Sequence, residues 1–248
     1  MHDVKGQSLW PISAFDALRN APKPGALAGA QPTTLLSSTL QAELRLLERR
    51  RDSADALEVV AACMRLREPA LVYLQCDEGV WPVTLFPAQM LYHSPRSLLQ
   101  ASPRAMASLA TLTVEPPGVR PPGHWMHERI AHAEAYHPVL PVLWKLALQG
   151  PRADLLNEVA GAAAYRVLRN PAALEMATPG ALGPAVERLR KESAPLRKIA
   201  AWPGMSTERA SRLINALYLT SNLLFWAYFR KVEQPAPQLA QATASAGR

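Results

Sequence analysis

Histidines cluster in one short part of the sequence, and they are the residues here that are most suited to metal chemistry. Four of the six histidines lie between His124 and His137. On a continuous helix, His124, Glu128 and His132 would follow one another at intervals of four residues and share one stripe. Neutral imidazole and carboxylate groups are both zinc ligands, so such a stripe could bind a metal ion.

A second histidine pair argues against a zinc protease. The run from His127 to His132 has one residue more than the H-E-x-x-H motif of that class. Its two histidines would lie about 140° apart around a helix and could not bind the same ion. Pro122 and Gly123 also place His124 at a helix cap. We therefore predict solvated or capping histidines and no metal site, and a metal-dependent enzyme is the third of three functional hypotheses.

Other catalytic motifs are absent from the sequence, which contains no P-loop, no G-x-G-x-x-G fingerprint and no G-x-S-x-G nucleophile elbow. Cys63 and Cys76 do not form a C-x-x-C pair. We expect them to be reduced, partly buried thiols, and a disulfide between them is the alternative. These observations predict a protein that is not an enzyme and that has no cofactor.

Positive charge is concentrated near the C-terminus. The formal net charge is +7, and residues 181–231 contain nine Lys and Arg against three Asp and Glu. A local basic field attracts polyanions such as duplex DNA or an acidic protein surface. A solvated surface without a partner is the alternative interpretation.

One segment of this basic region, residues 196–217, has the pattern of two helices joined by a tight turn. Ala200 is small enough for a second helix to cross close above the first, and Gly204 would allow the turn. Ser206 or Thr207 can cap the second helix. The spacing predicts that this helix buries Ala210, Leu213, Ile214 and Leu217 and exposes Glu208, Arg209, Arg212 and Asn215.

Residues 196–229 resemble the helix-turn-helix superfamily, including its winged-helix branch. The resemblance implies a DNA-binding regulatory protein. Its exposed residues Arg209, Arg212 and Asn215 would contact base edges, and Arg197 and Lys198 would contact phosphates.

Two alternatives to DNA binding remain open for this segment. One is a protein-interaction adaptor that uses the same surface or the segment around Trp10. The other is a helical pair that only closes a core. Residues 222–229 could form the strand that follows the second helix of a winged helix, but the sequence shows no second wing strand.

The fold class predicted for the whole chain is α+β, mostly α. Leucines at helical spacing predict a helix from Thr33, followed by a helix that Asp52 or Ser53 caps. Strands are predicted at 70–74, 80–86 and 109–114, and Pro82 would make the second of them an edge strand or a bulged one. Beyond residue 124 all the principal elements are predicted as helices, at 125–136, 138–148, 154–168 and 184–191, followed by the helical pair.

Proline-rich and glycine-rich stretches divide the chain into predicted domains. These are a flexible arm (1–33), a small α+β domain with an antiparallel sheet (34–114), a linker (115–123), an all-helical domain (124–233) and a disordered tail (234–248). No segment resembles a signal peptide or approaches the length of a transmembrane helix. We therefore expect a cytoplasmic protein with no membrane partner.

Overall fold

The computed structural model describes residues 9–20, 35–124, 133–169, 171 and 176–227. Within these ranges the helices are α1 (Ile12–Asn20), α2 (Ser38–Arg50), α3 (Ala56–Leu66), α4 (Pro103–Ala107), α5 (Val139–Gln149), α6 (Leu182–Lys191), α7 (Leu196–Ala200) and α8 (Thr207–Leu219). The strands are β1 (Ala70–Cys76), β2 (Gly79–Phe86), β3 (Leu91–His93), β4 (Ala110–Glu115), β5 (Tyr136–Pro138), β6 (Ala162–Val167) and β7 (Leu223–Ala227). They form a five-stranded antiparallel sheet in the order β4-β1-β2-β3-β5 and a two-stranded ribbon of β6 and β7.

The β1–β2 hairpin lies at the centre of the larger sheet. Every second residue of β1 is buried, so that Val72 and Leu74 point into the hydrophobic core. A two-residue turn joins the strands, and Gly79 follows it with a φ of +131°. The hairpin that the sequence predicts is therefore confirmed.

Pro82 lies within β2, which the sequence predicts to be an edge strand or bulged. β2 instead lies between β1 and β3, so this prediction is wrong for the strand as a whole. The backbone of Val80 bonds to Trp10 on the side of β2 away from β1. Pro82 directs its nitrogen to that same side, because residues two apart in a strand point their backbone groups the same way. On this side β2 pairs with β3 only from Thr84 onward. The N–H that Pro82 lacks would therefore have had no hydrogen-bond partner in the sheet.

Residues 9–20 fall in the predicted flexible arm, but they pack on the sheet. The Trp10 carbonyl accepts a hydrogen bond from the Val80 N–H at 2.8 Å. The buried ring of Phe15 in α1 has its centroid 4.9 Å from that of Tyr73. Gly79 permits this approach, because a Cβ there would lie 2.7 Å from the Trp10 carbonyl oxygen. The flexible-arm prediction is therefore wrong for residues 9–20.

The two helices predicted after Thr33 are confirmed as α2 and α3, with one change of cap. The Ser37 hydroxyl caps α2. Asp55 caps α3 in place of Asp52 or Ser53, because its Oδ1 accepts from the N–H groups of the first turn at 2.8 and 3.2 Å.

The prediction of an all-helical domain over 124–233 is wrong. Within this range β5 joins the large sheet, and β6 and β7 form the ribbon. α5 and α6 correspond to the helices predicted at 138–148 and 184–191. The helix predicted at 125–136 falls mostly on residues 125–132, outside the described part of the chain.

The helix predicted at 154–168 does not form, and β6 occupies its second half. Tyr165 exchanges two backbone hydrogen bonds with Ala194, at 2.9 and 3.0 Å, and on its other side β6 pairs with β7. These partners are distant in sequence, and their pairing overrides the helical propensity of an alanine-rich run.

One hydrophobic core joins the sheet to the C-terminal helices. β5 pairs with β3 and leads at Val139 into α5, which packs on α8. The Lys145 ammonium group of α5 donates to the carbonyls of Leu99 and Ala101 at 2.7 and 2.9 Å. The segments before and after residues 115–123 therefore share one sheet and one core.

We predict that cleavage at this proline-rich stretch leaves the protein assembled. A specific protease site inserted between Gly118 and Val119 should be cut readily, because the stretch is rich in proline and glycine and Gly118 is exposed. The β3–β5 pairing and the packing of α5 should then hold the fragments together. Gel filtration should give one peak containing both fragments, whereas separate elution would contradict the shared core.

Candidate functional site

α7 and α8 form the pair of helices predicted over residues 196–217. Gly204 lies in the turn between them with a φ of +73°, and the Ser206 hydroxyl caps α8. The apolar positions predicted to be buried are all buried: Ala210, Leu213, Ile214 and Leu217. The predicted helical spacing is therefore confirmed, while the resemblance to the helix-turn-helix superfamily stays a prediction.

Asn215 is fully buried, so the prediction that it is exposed to contact base edges is wrong. Its Oδ1 accepts a hydrogen bond from the Leu156 N–H at 2.9 Å, and its Nδ2 donates to the Asp154 carbonyl at 2.9 Å. The side chain thus satisfies two backbone groups of a segment that has no regular secondary structure. Both sides of the Asn215 amide are used inside the protein.

Arg212 is also not free, contrary to the prediction. Its side chain is only 16% exposed, and its guanidinium group donates to the carbonyls of Leu148 and Gly150 at 3.2 and 2.6 Å. It also pairs with Glu208 at 2.8 Å. These carbonyls belong to the end of α5 and the residue after it, where a helix leaves acceptors unsatisfied.

The other predicted contact residues lie on the surface. Arg209 is exposed, and its guanidinium donates to the Gly204 carbonyl at 2.6 Å. Lys198 pairs with Glu192 at 3.1 Å. Arg197 is exposed and has no ion pair with another described residue. Eight of the thirteen residues of α8 are buried, so the structure does not bring the five predicted contact residues together on one open face.

A largely buried ionic cluster joins the start of α3 to the segment between α5 and β6. The Arg152 guanidinium lies 2.6 Å from Asp55 and 2.8 Å from Glu58, and the Glu58 carboxylate also accepts from the Asn157 N–H at 3.0 Å. Burial raises the pKa of Glu58, and the Asn157 N–H and the Arg152 charge oppose that rise. Because this carboxylate is fully paired inside the fold, we assign it a structural role.

A different surface is left open beside the ribbon. A cleft of about 390 Å³ lies between the ribbon and α6, and we call it the ribbon cleft. Its apolar lining includes Leu168, Leu224 and Trp226, which are 52%, 42% and 46% exposed. Its charged lining consists of Arg166, Glu187, Arg190 and Lys191.

The sequence does not predict the ribbon cleft. The sequence indicates the strand after α8, but it predicts a helix where the partner strand β6 forms, and so it shows no second wing strand. β6 comes from before α7 in the chain and pairs with both β7 and Ala194. Tyr165 and Val167, an aromatic and a β-branched residue two positions apart, are the local signal for a strand there.

The residues suited to metal binding do not converge on one site in the described structure. Within it, no three histidine, cysteine or acidic side chains are placed to bind a metal ion. Glu128 and His132 lie outside the described residues. Cys63 and Cys76 are buried and form no disulfide, and burial raises the pKa of Cys63 to about 12, which keeps it an unreactive thiol at neutral pH.

Comparisons with known proteins give no family for this chain. No family model, curated protein or solved structure matches it. Among the described helices, none is long and apolar enough to cross a membrane.

We predict that Asn215 is needed for folding stability and that Arg209 is not. Asn215→Ala should lower the free energy of unfolding by about 1–3 kcal/mol, because it leaves the buried Leu156 N–H without an acceptor. Arg209→Ala should change it by no more than about 0.5 kcal/mol, because that side chain is exposed. Urea denaturation of both variants measures the difference, and equal effects would contradict the role given to Asn215.

We also predict that removing Arg152 makes stability depend more strongly on the protonation of Glu58. Arg152→Ala should cost about 3–5 kcal/mol near pH 7, because it leaves a buried carboxylate unpaired. With the pKa of Glu58 raised further, the folded state binds more protons than the unfolded chain. Protonation of Glu58 therefore stabilises the folded variant. This stabilisation is complete below the pKa that Glu58 has in the unfolded chain, and it is lost as the pH rises through the pKa that Glu58 has in the folded state.

The free energy of unfolding of Arg152→Ala should therefore come closer to that of the native chain as the pH falls from 8 to 5. Adding Glu58→Gln to the variant should recover part of the stability and flatten this dependence. Thermal unfolding across that pH range measures both effects. A deficit that is independent of pH would show that Arg152 does not act on Glu58.

Proposed function

We propose that this protein is a non-enzymatic adaptor that binds an acidic, partly apolar segment of a partner protein in the ribbon cleft. The observation that carries the proposal is the group of three large apolar side chains, Leu168, Leu224 and Trp226, which lie about half exposed beside one another in one cleft. Neighbouring exposed apolar side chains of this kind are typical of interaction sites.

The charges around these apolar side chains favour an acidic partner. Arg166, Arg190 and Lys191 contribute three positive charges to the cleft and Glu187 one negative charge, so the lining carries a net charge of +2. Arg166 and Lys191 have no ion pair with another described residue. Carboxylates of a partner would therefore find cations that are not already neutralised, which favours fast and selective association.

Burial of the apolar side chains would supply most of the affinity. A fully buried side chain of the size of Leu contributes about 1.5–3 kcal/mol. Tryptophan is among the residues that dominate binding energies at interfaces. Leu224 and Trp226 have half of their surface still open, so a partner segment that covers both gains a large part of this energy.

Duplex DNA is the less favoured partner. A helix that reads a major groove needs several polar side chains that are free of other contacts. Of the three residues predicted to contact base edges, Asn215 is buried, Arg212 bonds to the end of α5, and Arg209 alone is exposed. The unbonded thiols of Cys63 and Cys76 are compatible with the cytoplasmic location that we propose for the adaptor.

The proposal is tested by selecting binders from a random twelve-residue peptide library displayed on phage, with the full chain as target. We predict that the selected peptides are rich in Asp and Glu and contain an aromatic or aliphatic residue. Leu224→Ala with Trp226→Ala should weaken their binding by about tenfold or more, and Arg166→Glu with Lys191→Glu should do the same.

The matched control for the charge reversal is Arg49→Glu with Arg50→Glu. It makes the same change in net charge on the exposed end of α2, away from the cleft, and it should leave binding unchanged. Selection of no peptides, or of peptides that bind equally to the cleft variants, would overturn the proposal. A labelled duplex DNA of random sequence that binds at low salt and depends on Arg209 would favour the DNA-binding hypothesis instead.

A further inference from the structure

We infer, on the basis of the proposed function, that the partner segment binds in extended form as an added strand along the outer edge of β7. The ribbon has the lateral order Ala194, β6, β7, so β7 is its last strand in the part of the chain that the structure describes. An edge strand presents unpaired backbone groups, and pairing with them is a recurrent way of binding peptides.

The hydrogen-bond register identifies the backbone groups that are available. The Leu168 N–H donates to the Asn222 carbonyl at 2.8 Å, and Tyr165 directs its backbone to Ala194, away from β7. Hydrogen-bonded and non-hydrogen-bonded residue pairs alternate along an antiparallel ladder. Because the pair of Tyr165 and Phe225 is not hydrogen-bonded, the backbone groups of Leu224 and Trp226 on either side point toward β6. The N–H and carbonyl of Phe225 therefore point to the outer edge.

This edge lacks the features that usually protect an exposed strand. Charged side chains, prolines and bulges keep edge strands from pairing with other chains. β7 reads Leu-Leu-Phe-Trp-Ala and contains no charge and no proline. Its one irregularity in pairing with β6 lies between Ala162 and Ala164, near the far end of the ribbon. Among the described residues, the central part of β7 is therefore a regular edge without these protecting features.

The side chains of β7 determine what the added strand must carry. Leu224 and Trp226 face the ribbon cleft, whereas Phe225 faces the opposite side and contacts the ring of Tyr218. Side chains of an added strand alternate in the same way. The side chains of the added strand that face the ribbon cleft should include an apolar residue over Trp226 and carboxylates that reach toward Arg166 and the end of α6.

A second copy of this chain is a poorer occupant of the same edge. Symmetric pairing of two β7 strands would bring both sets of Arg166, Arg190 and Lys191 toward one interface. Like charges across such an interface oppose association, whereas an acidic strand neutralises them. The geometry thus points to an acidic extended peptide.

The test uses a fluorescent nonapeptide, Asp-Thr-Glu-Thr-Phe-Thr-Glu-Thr-Asp, whose acidic and aromatic residues share one face when it is extended. It is titrated with the native full chain and with two variants of one residue, Phe225→Ala and Phe225→Pro. Both variants remove the ring, but only the proline removes the outward N–H, and it removes no bond to β6. We expect Phe225→Pro to bind about five- to tenfold more weakly than Phe225→Ala.

Two N-methylated peptides give a second readout that does not depend on the folding of a variant. One carries N-methyl groups on the threonines that flank phenylalanine, and the other carries them on phenylalanine and a glutamate. Strand addition requires that one peptide loses about tenfold in affinity while the other does not, and antiparallel pairing predicts that the threonine set is the sensitive one.

The outcomes separate this inference from the proposed function. Equal binding by both N-methylated peptides, or no nonapeptide binding while library peptides still depend on the cleft, would overturn strand addition alone. If neither the library peptides nor the nonapeptide bind in a way that depends on the cleft residues, both the proposed function and strand addition are overturned. A dimer at micromolar concentration that Phe225→Pro dissociates would show that a second copy occupies the edge, and it would also overturn the inference.

Discussion

The shared contacts of Arg152 with Asp55 and Glu58 are the interaction on which the arrangement of this protein most depends. Both carboxylates belong to the start of α3, whereas Arg152 lies in the segment without regular structure between α5 and β6. A buried charge without a partner is strongly destabilising, so Glu58 must remain paired with Arg152. The segment that carries Arg152 is therefore held against the start of α3. Arg65 reinforces the attachment through Glu43 and Glu158, at 2.9 and 2.8 Å.

This constraint also determines what α8 can do. The segment that Arg152 fixes lies against α8, where Asn215 satisfies its backbone and Arg212 satisfies the carbonyls at the end of α5. Polar side chains that look suited to recognition in the sequence therefore hold two distant parts of the chain together. The surface that we propose for a partner is the ribbon, whose strand β7 places Leu223 in the main core and leaves Leu224 and Trp226 exposed. The contacts that stabilise the fold and the proposed binding surface thus involve different residues.

Local patterns in the sequence predict the local elements and fail where the partner is remote. The β1–β2 hairpin, α2, α3 and the turn at Gly204 follow from alternation, helical spacing and capping residues near one another in the chain. The sequence predicts a helix in place of β6, because Tyr165 becomes a strand residue only through its pairing with Ala194 and β7. Helical spacing places Asn215 on the polar side of α8, but it cannot reveal that residues 154–156 cover that side. The ribbon cleft could not be predicted, because its lining comes from β6, α6 and β7 together.

Hydrogen exchange at the Leu156 and Asn157 amides tests this account most directly. These N–H groups donate to Asn215 and Glu58 and belong to no helix or strand. If the buried polar contacts hold the fold together, both amides should exchange only through global unfolding, as slowly as those at the centre of α8. Nuclear magnetic resonance of the native chain measures the rates residue by residue. Fast exchange through local opening at these two amides, with α8 still protected, would contradict the account.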